Sequence, residues 1–335
     1  MSTWFLLVST VLLATTSITA FAEDAVAGSS VAGATDYVAD GRAPLGELAQ
    51  RFAELDQRHG WSVETVYTYP DAPDLQIKAW HTRDPGPALW VLSGIHGEEP
   101  AGPNAIAREL EAVVAFARSG VPVVILPLCN PKAYRHNWRY PNTAERDWKK
   151  GGYSVGDAEY LLPDLEQGLT PRDTQAAGPE TRALTQFVLR LVERYPPKLV
   201  LDLHEDELST EGGYIYSQGR HADANPVGAA VGELLQASGI PLRRSGQTRF
   251  GETIVDGVIS RDDRGGPIRD GSIDELFAAT DVFVDGRKRR GPTAESVIVV
   301  ETPAFAGARF DQRVAAQAAV VRNLPRLWRL NDALP

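Results

Sequence analysis

The chain has 335 residues, of which 43% are hydrophobic and 23% charged, a balance that fits one large globular domain or two small ones. Its formal net charge of -10 argues against a nucleic-acid partner, because phosphate binding needs a basic face. The single cysteine, Cys129, allows no intramolecular disulfide; it closes the apolar run from Val123 to Leu128 and reads as a small buried hydrophobe.

The first residues read as an export signal. Trp4 to Ile18 is apolar with interspersed Ser and Thr, and Ala20-Phe21-Ala22 is a small-x-small cleavage site, so residues 1–22 are expected to be removed. Residues 23–42, rich in Ala, Gly, Ser and Asp, read as a flexible leader, and 43–335 as a single folded domain. No other run is long and apolar enough to span a bilayer. The expectation is therefore a periplasmic or secreted protein with no stable membrane insertion.

Leu45 to His59 has helical spacing, with Leu45, Leu48, Phe52 and Leu55 on one face. Trp61 to Tyr69 and Leu75 to His81 alternate as antiparallel strands do. Ala88 to Leu92, Val121 to Leu128, Leu199 to His204 and Val297 to Glu301 are continuous apolar runs, expected as strands buried on both faces. Between them, helical stripes occur at Ile106, Leu110, Val113 and Val114, and at Leu184, Phe187, Val188 and Leu191 behind Pro179. Val227 to Ser238 and Arg309 to Leu330 read as further helices. Residues 129–178 read as a long polar loop. The stretch 256–292 reads as an insertion, its basic cluster Arg287-Lys288-Arg289-Arg290 a solvated loop. Strands alternating with helices predict an α/β three-layer sandwich around a mixed, largely parallel sheet.

Three of the four apolar strands run into an imidazole or a carboxylate: His96 and Glu99 after the first, His204 on the third, Glu301 on the fourth. Carboxyl ends of strands are where open α/β sheets place their sites. His96 and Glu99, three residues apart, can aim at one point. With His204 they make the three-ligand set that catalytic zinc uses, leaving a fourth position for water. One Zn2+ per chain is expected.

His96-Gly97-Glu98-Glu99, Asp202-Leu203-His204 and Val300-Glu301-Thr302 resemble, in that order, the motifs of the zinc metallocarboxypeptidase superfamily. That group includes digestive carboxypeptidases, murein peptide amidases and the succinylglutamate desuccinylase–aspartoacylase branch. The resemblance spans roughly residues 85 to 330 and implies a zinc carboxypeptidase-like fold. It also implies Glu301 as general base. Asn130-Pro131 followed by Arg139 resembles the segment whose arginine polarises the scissile carbonyl. Arg146 resembles the arginine that holds a substrate carboxylate, with Glu145 where the family has Asn; Asn130, Glu145 and Arg146 are the substrate-binding candidates. Two departures stand out. Glu145 could repel a carboxylate or help recognise an amine. The tyrosine that digestive members carry on a late loop has no counterpart, because no tyrosine follows Tyr216.

The resemblance implies a zinc hydrolase of peptide or amide bonds, a carboxypeptidase or cell-wall peptide amidase acting on small peptides with a free carboxylate. The alternatives are an N-acyl amino acid deacylase and a non-catalytic peptide-binding module. Glu205 and Asp206, beside His204, read as supporting or solvated carboxylates.

Overall fold

The computed structural model describes residues 36–140, 178–206, 209, 211–268, 272–284, 287–304 and 307–335. Helix α1 (Leu45–Gln57) leads into an antiparallel pair, β1 (Ser62–Tyr69) and β2 (Ala72–His81). Strand β3 (Ala88–Ser93), helices α2 (Ala101–Arg108) and α3 (Leu110–Ala117), and strand β4 (Val123–Leu126) form a crossover whose two strands pair in parallel. Short α4 (Pro131–His136) follows, then α5 (Pro179–Leu191), β5 (Pro197–Asp206), β6 (Tyr214–Gln218) and α6 (Pro226–Ala237). Next come β7 (Ser245–Gln247), β8 (Thr253–Val255), β9 (Val258–Ile259), α7 (Ile273–Ala278), β10 (Asp281–Val284) and β11 (Arg287–Arg290). Strand β12 (Ser296–Pro303) and helices α8 (Phe310–Arg322) and α9 (Leu324–Asp332) complete the chain.

Among the described residues, ten strands form one mixed sheet in the order β1-β2-β4-β3-β5-β12-β6-β9-β8-β7. Its centre, β4-β3-β5-β12, is parallel. These are the four strands expected from the apolar runs, and side chains alternating along them fill two separate cores. Leu89 and Val91, Val123 and Ile125, and Leu199, Leu201 and Leu203 face one side, packed with residues of α1, α2, α3, α6, α8 and α9. Trp90 and Leu92, Val124 and Leu126, and Val200 face the other, against α5 and α7. Full burial of each such side chain contributes about 1.5–3 kcal/mol. Trp90 also places its indole N–H on the Tyr195 carbonyl at 2.9 Å. A strand covered on both faces must be apolar throughout, which is why these four were readable.

Helices α1, α5 and α6 and the antiparallel pair β1–β2 also match expectation, whereas other elements depart from it. The helix expected around Ile106 to Val114 is two helices, with Glu109 at φ -105°, ψ 23° between them. The closing helix likewise divides at Asn323, because Pro325, in the first turn of α9, has no N–H to continue α8. Strand β6 was not anticipated. The stretch 256–292 carries β9, α7 and a β10–β11 hairpin, and the basic cluster is a paired strand with Lys288 on Asp281 at 3.0 Å. Of the expected polar loop, residues 131–136 are α4, and 141–177 lie outside the described residues. The sequence reading extends the flexible leader to residue 42, whereas the end of that stretch is tied down. Asp36 accepts from the Leu45 N–H at 2.8 Å, and the Arg42 side chain is fully buried.

Candidate functional site

His96 and Glu99 sit on the turn leaving β3, closed by the Glu99 N–H on the His96 carbonyl at 3.2 Å. Two glycines make this turn possible. Gly94 adopts φ +63°, a left-handed conformation that favours glycine. Gly97 lies against α4 so closely that a Cβ would stand 2.1 Å from the Ala133 carbonyl carbon. Asn130 braces the turn from below: its Nδ2 donates to the Ile95 carbonyl at 3.1 Å, and its Oδ1 caps α4 through the Ala133 N–H at 3.1 Å. Asn130 was a substrate-binding candidate; the contacts described for its amide are with the protein itself.

His204 comes from β5 and Glu301 from β12, in direct parallel register, and Tyr214 of β6 is paired with Glu301 on the other side. Paired residues project to the same face, so Glu301, His204 and Tyr214 share one face of the sheet. The next residues, Glu205 and Thr302, are also register partners and turn to the opposite face, toward α2 and α8. There Glu205 accepts from the Ala101 N–H at 2.8 Å and forms a buried ion pair with Arg313. Gln317 donates to the His204 carbonyl at 2.8 Å and to Thr302 Oγ1 at 2.9 Å. Helix α8 thus holds the back of the strand that presents His204.

The ligand candidates meet. His96 Nδ1 lies 2.8 Å from Glu99 Oε1, and His204 Nδ1 lies 2.8 Å from Glu99 Oε2. One ligand atom from each of His96, Glu99 and His204 falls within 4.8 Å of the others. Asp202, two residues before His204 and buried, places Oδ1 3.2 Å from His204 Nε2. Alternation along β5 held that signal, since residues two apart share a face. Arg139 also reaches the cluster, its Nη1 2.9 Å from Glu99 Oε1 and 3.3 Å from Glu98 Oε1. Tyr214 donates to Asp206 Oδ2 at 2.8 Å, which accounts for one of the two acids beside His204. Arg146 and Glu145 lie outside the described residues.

Burial opposes the charge on Glu99, but the His96 and His204 imidazoles overcome it and hold its carboxyl well below the usual range. Burial likewise opposes a His204 cation, yet Asp202 and Glu99 outweigh it and hold that imidazole well above its usual value. The site therefore favours positive charge at its centre. Two imidazoles and a carboxylate whose donor atoms already face one another, with a carboxylate behind one imidazole, are the donor set and the outer support that zinc takes. Glu301 differs. Burial raises its carboxyl well above the usual range, Glu99 and Asp206 raise it further, and His204 and Arg139 pull against this.

No protein-family model matches the chain, and no curated protein does. Among solved structures it is similar to a candidate metallopeptidase from Shewanella amazonensis, at 20% identity and a TM-score of 0.60, covering 82% of this chain and 89% of that one. It is also similar to carboxypeptidase A from Helicoverpa armigera, at 13% identity and a TM-score of 0.56, covering 88% of this chain and 74% of that one. The likeness shows a shared α/β fold, a mixed, largely parallel sheet of the carboxypeptidase-like kind. In this carboxypeptidase-like fold His96, Glu99, His204 and Glu301 lie at the carboxyl ends of β3, β5 and β12.

Proposed function

We propose that the chain is a zinc-dependent hydrolase of peptide or amide bonds, acting on small peptides with a free carboxylate. The observation that carries this is the convergence of His96, Glu99 and His204, with Glu301 beside His204 in the sheet register. The carboxypeptidase-like architecture supports a hydrolase in general terms. Zinc held by the three side chains would polarise the scissile carbonyl and acidify a water. Glu301, its affinity for a proton raised by burial, would accept a proton from an attacking water and pass it to the leaving amine. Arg139 leaves Glu98 and Glu99 to face the developing oxyanion, an electrostatic contribution of the kind that dominates such sites. Arg146 holds the substrate carboxylate and Glu145 reads the group beside it. Asn130 acts through the turn it braces.

Residues 43–335 are read as one catalytic domain, and residues 1–22 as an export signal that places it in the periplasm or outside the cell. No helix among the described residues is long and apolar enough to cross a membrane.

The test is metal content and hydrolysis measured together. Full-length protein is assayed for bound zinc, then for cleavage of dipeptides, cell-wall peptides and N-acyl amino acids with and without chelator. One zinc per chain and chelator-sensitive peptide cleavage are expected. Cleavage confined to N-acyl amino acids would replace the peptide assignment by a deacylase. Zinc binding with no hydrolysis would leave a binding module, and no zinc would end the proposal.

A further inference from the structure

Arg42 lies on the stretch that enters α1, outside the ligand cluster, and its side chain is wholly buried. Beyond Asp40 and Tyr37 on its own stretch, its hydrogen bonds go to the segments that frame the site. Its Nε and Nη2 hold the Asp40 carboxylate, the latter at 2.6 Å. Its Nη1 donates both to the Gly97 carbonyl at 2.7 Å and to the Tyr134 carbonyl at 3.0 Å. Its Nη2 also donates to Asn137 Oδ1 at 2.6 Å. The Tyr134 ring lies 4.7 Å from the guanidinium carbon.

Those partners belong to two limbs. Gly97 sits between His96 and Glu99 on the turn after β3. Tyr134 and Asn137 form the end of α4, where Asn137 takes φ 57° as the C-cap, two residues before Arg139. The limbs touch backbone to backbone at Gly97. Their carbonyls converge on one donor, and without a cation two such dipoles repel each other. A buried arginine is costly unless its donors are satisfied, so one satisfied by these particular carbonyls fixes a geometry.

We propose that Arg42 is a positioning residue, clamping the turn that carries His96 and Glu99 to the end of α4 that launches Arg139. This rests on the metal reading above. A lysine keeps the charge but cannot span both carbonyls, Asp40 and Asn137 with a planar fork.

The experiment measures zinc affinity by chelator competition in the full chain, alongside the unfolding midpoint of the metal-free protein. The wild type is compared with Arg42→Lys, Arg42→Ala and Leu327→Ala, a core truncation on α9. Both Arg42 variants are expected to bind zinc about 10–100-fold more weakly, the range typical of lost outer support. Methylguanidinium should restore part of the loss in Arg42→Ala. Leu327→Ala should unfold earlier yet bind zinc as the wild type does. Wild-type affinity in both Arg42 variants would overturn the clamp alone. So would an equal loss in Leu327→Ala, which would make the effect one of general stability. A wild type that takes up no zinc would remove the metal reading and the clamp with it.

Discussion

Glu301 stands in register with His204, and its surroundings keep it protonatable where an ordinary carboxylate would not be. Glu301→Gln keeps the shape and removes the proposed base. Turnover should fall about 10²- to 10⁴-fold, the usual share of a general base, while zinc content stays at the wild-type level. Metal analysis and steady-state kinetics on the same preparation check this, and full activity in the variant would exclude Glu301 as the base. The two glycine positions give a second residue-level comparison. Gly97→Ala drives a methyl into the α4 backbone and should destabilise by about 1–3 kcal/mol. A Cβ at Gly46, on α1, meets nothing within 4 Å, so Gly46→Ala should be neutral or stabilising by up to about 1 kcal/mol. Urea unfolding of both variants decides whether close approach, rather than glycine content, is what matters.

At the scale of elements, α8 is tied to the His204 strand by the Glu205–Arg313 pair and by Gln317. Burial raises the Glu205 carboxyl even with Arg313 beside it, so desolvation outweighs the ion pair. A pair of this kind orients more than it stabilises. Arg313→Met alone strands a buried carboxylate and should cost about 3–5 kcal/mol, whereas adding Glu205→Gln should recover most of that loss. A denaturant double-mutant cycle measures the recovery. Equal losses in the single and double variants would mean that packing, not charge, ties the two elements.

For the whole molecule, a metal that binds only the folded state stabilises it by mass action. Free zinc at a thousand times its dissociation constant should add about 4 kcal/mol. Chelation should therefore lower the unfolding temperature, and that of His204→Ala should not respond to zinc or chelator. An equal response in that variant would place the stabilising metal elsewhere.

The sequence by itself determined the centre of the sheet and the cluster of His96, Glu99 and His204. Strands covered on both faces must be continuously apolar, and a ligand at the end of such a run is conspicuous. It also showed the order of His96, Glu99, His204 and Glu301, because each lies on or just after one of those runs. The short strands β7 to β9 and strand β6 carry no continuous run, and helix breaks at Glu109 and Asn323 leave the apolar spacing nearly intact, so neither was legible. Only the tertiary structure decided what long-range contacts decide. It drew Arg313 against Glu205, 108 residues away, and it laid Arg42 across Gly97 and Tyr134, 55 and 92 residues distant. No spacing encodes such pairings; they follow from which faces the packed sheet and helices bring together.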